Sequence, residues 1–495
     1  MMSEKLKTVL LLLLFVISVF LTKQLWIALP LGEAISNNQN YNFENLDTDV
    51  ADVLSPRSFT INFGGGRHTM FFSEPYETWN INDISKKEKI SIWSTVKYIL
   101  KGYFTRRYEV ESVDLNTWQN LNKFKSIKMD FGCEIPGESL IKVLSGNSNI
   151  SQKNIGAINS LLIPAVETEK TNIYMGNTNK NVYFKFVGKE LNYEIRNLIN
   201  NIEEIADKED YYISYYPLKK YVPINGDNKD ILIPYLEEIA IPTIEIKNEI
   251  DVLDRVQIKS LSNKFFGENF NFVKEIKEKD GSIIYIYGYG EKALKINAEG
   301  LLEHIERVNK QRVKGKIDFL KTLKIAVAFI NEHLDWPINA ENAYLSYCEK
   351  IKKDKKEGYR FYFNYRLNGL PIFIPQIGEE KAIEIEVIGN QVTYYKRFIK
   401  RKRTGQKEYR YKKVPLITEI LAKNIDYIKK DYMKDNNLVV EIEDIQILET
   451  MKDIGLVYYC KDDKLIPVWK IIFGNNVYYF DVYSGEMLHH YKRGV

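Results

Sequence analysis

Thr8 to Thr22, TVLLLLLFVISVFLT, is a run of fifteen residues without a charge, and no other stretch constrains the chain as strongly. Fifteen residues fall short of the ~20 that a helix needs to cross ~30 Å of hydrocarbon. The following LTKQLWIALP supplies the missing turns if the Lys23 ammonium snorkels to water at the outer boundary. Trp26 then falls at the depth of an interfacial aromatic belt, and Pro30 ends the helix. Residues 8–30 are therefore expected to span a membrane. Lys5 and Lys7 ahead of the run place the tip, 1–7, in the cytoplasm, and everything from about Leu31 onward outside it. A cleaved signal peptide shares the basic start and short apolar core. Its best small-x-small site, Gly32-Glu33-Ala34, lies about a dozen residues beyond that core, so a retained anchor fits better. No cysteine follows the run, which excludes a lipid-modified one.

Ser18 and Thr22 stand one helical turn apart, with Trp26 one turn further, so the three share a face. Small hydroxyl side chains let a second helix approach closely in lipid and accept hydrogen bonds from it. These residues are the expected contact with a partner helix.

The chain beyond the anchor is too long for one ordinary core, and 45% hydrophobic with 27% charged residues is the composition of a globular protein. Thirty-four tyrosines favour strands and half-buried surfaces. A net charge of +4 excludes a polyanion binder over the whole length, so any basic function is local. Cys133, Cys348 and Cys460 are odd in number and widely spaced, which excludes a disulfide framework or a metal knuckle and reads as three buried thiols.

Asn37 to Asp49 is polar, and SPRSFTINFGGGRHTMFFSEP then gives a β-hairpin around Gly64-Gly65-Gly66. Those glycines do not cradle a phosphate, because His68 to Phe72 is strand-like where a helix would have to start. A helix is predicted over Ser91–Phe104 and strands over Tyr108–Val113 and Ser126–Phe131, followed by a bend at Pro136. A strand near Val182–Val187 and a helix around Asn192–Ile205 come next, and the less patterned Pro217–Ile250 closes this region. Further on, Lys259–Phe266 is helical or a turn, and Phe270–Ile276 and Ser282–Tyr287 make a hairpin about Asp280-Gly281. Ala293–Ile296 and Leu301–Ile305 add strands. A helix over Ile317–His333 precedes antiparallel strands at Tyr359–Tyr365, Pro371–Ile374, Ile383–Val387 and Val392–Arg397. The order recurs with a helix over Leu416–Lys430, a strand near Leu438–Glu443, and strands at Gly455–Cys460, Pro467–Phe473 and Asn476–Tyr483. Helix then meander, twice, suggests two related modules.

The expected architecture is α+β: a single transmembrane helix (8–30) and three outer mixed α+β domains. Their expected limits are 31–250, 251–400 and 401–495, the last two being helix-plus-antiparallel-meander modules.

A search for reacting groups returns no catalytic constellation. None of His68, His304, His333, His489 and His490 stands in HExxH, and His489-His490 sits at a frayed end where neighbours on a strand point to opposite faces. No GxSxG signature occurs, and Gly288-Tyr289-Gly290 is a bend. No catalysis, cofactor or metal is expected. The one unusual local feature is Lys396 to Lys413, KRFIKRKRTGQKEYRYKK, where ten of eighteen residues are basic. Outside a cell nucleic acid is not the expected partner, whereas anionic headgroups and wall polymers are available. Lys400, Arg401, Lys402 and Arg403 are the candidate anionic-surface residues, set against a plain solvated hairpin with Thr404-Gly405 at its tip.

Several passages in this order resemble the YycH family of membrane-anchored extracytoplasmic regulators. They are LTKQLWIALP, SPRSFTINFGGG, DGSIIYIYGYGEKALKIN with GLLEHIE, AVAFINEHLDWP, FYFNYRLNGLPIF and IEIEVIGNQVTYYKR. The ending VWKIIFGNNVYYFDVYSGEML is similar to the last module of that family and of its sister family YycI. The resemblance implies a cytoplasmic tip, one membrane helix and three outer domains without catalysis. It also implies contact with the membrane part of a cell-wall sensor histidine kinase in Gram-positive bacteria, with a YycI-like sister protein as a third member. The different reading left open is an anchored module that binds anionic wall polymer or the membrane surface and has no signalling partner.

Overall fold

Gly65 and Gly66 take φ of +64° and +80°, the left-handed pair that closes a two-residue hairpin with the twist its strands need. The turn pairs Ser58–Gly64 with Arg67–Phe71, and Gly64 faces Arg67 across it. The computed structural model describes residues 46–71, 76–80, 83–90, 92–105, 108–145, 155–165, 172–188, 193–209, 213–223, 231–235, 237–239, 241–308, 318–334, 336, 343–353, 355–367, 369–403, 412–439 and 442–493. The expected membrane span, 8–30, lies outside them; no helix of the described residues is long and apolar enough to cross a membrane.

Among the described residues the hairpin sits inside a nine-stranded antiparallel sheet. From edge to edge the strands are Leu232–Tyr235, Ser214–Pro217, Arg67–Phe71, Ser58–Gly64, Ser126–Pro136, Ala157–Pro164, Asn172–Asn177, Val182–Val187 and Glu109–Val113. The helix predicted after Ser91 runs over Ile92–Phe104 and buries Ile92, Trp93, Val96, Ile99, Leu100 and Phe104, one 3.6-residue stripe. Trp93 meets Phe59 and Phe131 of the sheet at 6.5 and 6.4 Å between ring centres. The helix Tyr193–Glu209 adds Ile195, Leu198, Ile199 and Ile202 to the same core. Two expectations change here. The end of the polar stretch before Asp49 opens a helix, Leu46–Val53, which buries Val50 and Val53. No open bend follows Pro136: the strand ends there and the helix Gly137–Ser145 begins at once.

The second sheet is built from the two repeats. In the first, the helix Phe319–His333 precedes strands Ala343–Lys353, Lys356–Leu367, Ile383–Ile388 and Gln391–Arg397, each paired antiparallel with the next. In the second, the helix Ile417–Asp435 precedes Met451–Lys461, Lys464–Phe473, Asn476–Asp481 and Met487–Lys492, paired in the same succession. The first hairpin of each repeat carries an irregularity on its leading strand, at Leu345/Tyr347 and at Met451/Asp453. Strands Lys274–Lys277, Ile283–Tyr287, Lys292–Ile296 and Leu302–Glu306 extend the first meander beyond Gln391–Arg397. The strand Leu370–Phe373 joins the repeats, antiparallel to the end of Lys356–Leu367 and parallel to Met451–Lys461.

That joining strand explains why the apolar residues of VWKIIFGNNVYYF lie on both faces of their strands. Trp469, Ile471, Tyr478 and Phe480 face Ile417, Ile420 and Leu421 of the helix. Val468, Ile472, Val477 and Tyr479 form a second core with Phe373 on the other face. A strand buried on both faces has no polar side to alternate with. The expected strand over Leu438–Glu443 is not found in its described part. Leu438 and Val439 are irregular, and Glu443 caps a short helix, Asp444–Leu448, its backbone N–H bonding Gln446 Oε1 at 2.9 Å.

Candidate interaction site at the junction of the sheets

Lys470 lies between Trp469 and Ile471 and so points to the second core, where it is only 4% exposed. A buried ammonium needs a carboxylate. Glu379 provides one in direct contact, and Glu380 lies 3.7 Å away. Both sit on a turn in which Gly378 and Glu380 take φ of +84° and +53°. Glu379 also accepts from Arg493 through Nε at 3.0 Å and Nη2 at 2.8 Å, and from the Tyr491 hydroxyl at 2.6 Å. Glu380 pairs with Arg57 at 2.7 Å, and its charge raises the Arg57 guanidinium above the ordinary arginine value although burial opposes this. Arg57 belongs to the segment entering the first sheet, so one turn of the first repeat holds residues of both other regions.

Arg366 makes the second tie. Its guanidinium is buried, lies 4.1 Å over the Tyr344 ring, and donates to the carbonyls of Pro56 at 2.5 Å and Arg57 at 3.3 Å and to Ser55 Oγ at 3.4 Å. A planar fork of donors suits several acceptors at once. The junction places no nucleophile against a base. Its chemistry is charge and hydrogen bonding, and its effect is to fix three segments distant in sequence.

Three of the four predicted anionic-surface residues form a short strand, Lys400–Lys402, paired with Ile244–Asn248, and Arg403 follows it directly. Lys400 is buried, with Nζ 2.5 Å from Asn248 Oδ1 and 4.5 Å over the Phe398 ring. Arg401 donates to Glu249 Oε1 from Nε at 3.1 Å and Nη2 at 2.5 Å. Arg403 reaches Ile246 O at 2.9 Å and Asp463 at 3.2 Å. Lys402 is exposed. The far side of the basic run, Lys412–Lys413, is also exposed and pairs with Glu238–Ile239. In the described residues the two ends of the expected hairpin therefore bond to other strands and not to each other; Thr404, Gly405 and the rest up to Tyr411 lie outside them. Ser18, Thr22 and Trp26, the expected partner-helix contact, lie outside them too.

The histidines are dispersed. His304 and His333 are buried with Phe265, Phe329 and Tyr395; His333 stacks on Phe329 at 3.9 Å, and its Nδ1 lies 2.8 Å from the Phe329 carbonyl oxygen. Neither ring nitrogen of His304 has a hydrogen-bond partner. His489 and His490 are not frayed: they lie in the strand Met487–Lys492, opposite Tyr479 and Tyr478. They do point to opposite faces, His490 onto Tyr478 at 4.4 Å and His489 among Phe373, Tyr459 and Tyr479. Among the described residues no group of three His, Cys, Asp or Glu side chains is placed to hold a metal ion.

Sequence reasoning missed Arg57, Arg366, Glu379, Glu380 and Lys470. The available signal was a single charge inside an otherwise apolar strand, as in VWKIIF and FNYRL.

No family model matches the chain, and no curated protein matches it. Among solved structures, YycH from Bacillus subtilis superposes with a TM-score of 0.51, covering 88% of this chain and 96% of that one at 12% identity. The chain thus has a YycH-like fold, as the sequence resemblance implied. The C-terminal domain of Bacillus megaterium YpeB matches 49% of this chain and 98% of its own at 11% identity, with a TM-score of 0.25 that has no bearing on the fold.

Proposed function

We propose that this chain is a YycH-type regulator of a cell-wall sensor histidine kinase, acting by association and not by catalysis. The observation that carries the reading is a likeness to YycH running through 88% of this chain and 96% of the other. In this reading residues 8–30 anchor the protein in the cell membrane with a cytoplasmic tip, and the rest lies outside. Ser18, Thr22 and Trp26 face the kinase's membrane helices, and a YycI-like sister protein joins the assembly. Regulation then requires that association favour one kinase conformation over another, since equal affinity for both shifts nothing. The junction of Arg57, Arg366, Glu379 and Lys470 supports such a role, because charges shared among three segments make them respond together.

The test is photocrosslinking in living cells from a probe amino acid at Thr22, with mass-spectrometric identification of what is captured. Capture of a sensor histidine kinase or of a sister anchor is expected. Capture of lipid alone, from protein verified as full length and anchored, overturns the membrane-helix contact.

A second reading, binding to anionic wall polymer or headgroups, is favoured by one observation. Lys402, Lys412 and Lys413 are exposed at the two ends of the basic run. Lys400 is unsuited to a charge-reversal test because its ammonium is buried on Asn248. Reversal of Lys402, Lys412 and Lys413 to Glu tests the reading cleanly; unchanged sedimentation with anionic vesicles and with teichoic-acid-type polymer removes it.

A further inference from the structure

The two sheets meet where Ser126–Pro136 passes Ala343–Lys353. At Gly132 the approach is backbone to backbone: a Cβ there would lie 2.6 Å from the Ser346 carbonyl oxygen and 2.8 Å from that of Leu345. Cys133 follows Gly132 on one strand, and Cys348 follows Ser346 by two residues on the other. Cys348 Sγ donates to the carbonyl oxygen of Glu134, the residue next to Cys133, at 3.6 Å, and the two thiols are close enough to perturb one another's ionisation. The two sulfurs, remote in sequence, are thus neighbours across the sheet junction. Cys133 is buried and Cys348 half-buried, so Cys348 is the more accessible of the pair. Cys460 is elsewhere, buried with its Sγ turned to the Asp462 carbonyl oxygen.

We propose that Cys133 and Cys348 are a disulfide-forming pair that covalently joins the two sheets when the protein meets an oxidising low-molecular-weight or protein disulfide. The Cys348 thiolate attacks the oxidant's S–S bond, forms a mixed disulfide and expels one thiolate. Cys133 then loses its proton and attacks the Cys348 sulfur, expelling the second thiolate. Two S–H bonds are lost and one S–S bond forms; two protons and an electron pair leave, and the oxidant becomes two thiols. The order follows from access. Its interaction with Cys348, and then burial, push the Cys133 thiol well above its ordinary value, so it is the poorer first nucleophile. A bond between segments so far apart closes a very long loop, which constrains the unfolded chain strongly. Oxidation of this kind belongs to compartments outside the cytoplasm, where the proposed function puts this part of the chain.

The test uses the reduced full-length protein incubated with oxidised glutathione, followed by alkylation and non-reducing peptide mapping. The expected result is a Cys133–Cys348 linked peptide as the main cysteine product, with Cys460 alkylated and a higher unfolding midpoint than in the reduced protein. The link persists in Cys460→Ser and disappears in Cys348→Ser. Recovery of Cys133 and Cys348 from folded wild-type protein as alkylated or separately glutathionylated thiols, or linkage of either to Cys460, overturns the proposal.

Discussion

Arg397 and Glu249 form a two-point ion pair, Nε to Oε2 at 2.6 Å and Nη2 to Oε1 at 2.8 Å, with 0% of the arginine side chain and 6% of the glutamate side chain exposed. Glu249 directly follows the strand Ile244–Asn248, and Arg397 ends the last strand of the first repeat. The pair is therefore a clamp at the start of the second sheet, reinforced from outside by Arg401.

Removing one partner of such a pair leaves an uncompensated buried charge. Glu249→Gln is expected to lower stability by about 3–5 kcal/mol. Burial pushes the Glu249 carboxyl up, but Arg397 and Arg401 more than offset this and hold it below its usual value. The stabilisation is thus present above the unfolded carboxylate range and is lost as pH falls through the folded value. Urea midpoints at neutral and acid pH check both points: the gap between wild type and Glu249→Gln narrows in acid.

His304 and His333 predict a second acid dependence. Burial lowers His304 from 6.5 to about 3 and His333 from 6.5 to about 4, with Lys292 adding to both and Lys264 to His333. Both are neutral in the fold, so the unfolded chain binds their protons first as pH drops below 6.5. Each is expected to withdraw about 2 kcal/mol of stability between pH 7 and pH 5. His304→Phe, which fits among Phe265 and Phe329 and removes two unbonded nitrogens, is expected to be neutral or stabilising at pH 7. It also flattens the slope between pH 7 and pH 5, as chemical denaturation across that range will show.

Arg366→Lys is not conservative. A point ammonium cannot serve Pro56 O, Arg57 O and Ser55 Oγ together while lying over Tyr344. The orphaned acceptors cost about 1–3 kcal/mol. The loss is expected to loosen the segment at Ser55–Arg57 first, read as faster amide hydrogen exchange there than in the remainder of the first sheet.

Gly132→Ala meets backbone on the facing strand, at the 2.6 Å and 2.8 Å approaches to Ser346 and Leu345. Overpacking of this kind costs about 1–3 kcal/mol. Because the strain falls at the Cys133–Cys348 crossing, the same variant is expected to lower the yield of that disulfide under fixed oxidation conditions, measured by peptide mapping.

Much of the local architecture was legible. Asp280-Gly281 makes the hairpin its turn chemistry demands, with Gly281 at φ of +90°, and the long helices at Ile92, Phe319 and Ile417 follow their apolar stripes. The strand pairs about Gly389-Asn390 and the repeat of helix and meander could also be read, because short-range periodicity and turn residues are properties of neighbours in the chain. Leu46–Val53 escaped because eight residues hold too little periodicity to stand out from a polar lead-in. Glu443 and Gln446 carried a capping signal that was overlooked beside a β-branched run.

What sequence could not determine is which face of a strand another region would cover. Lys470, Arg366 and Arg397 read as ordinary polar positions, since a side chain's cost of burial depends on what packs over it, and the covering strands lie far away in the chain. The same holds for Cys133 and Cys348, scattered along the sequence with Cys460 but brought side by side where the strands cross. The basic run shows the converse: its composition was plain, but only the folded chain turned Lys400 inward and paired Arg401 with the buried Glu249 and Arg403 with the exposed Asp463. Periodicity determined the elements, and long-range packing decided which of their charges are buried and with what they pair.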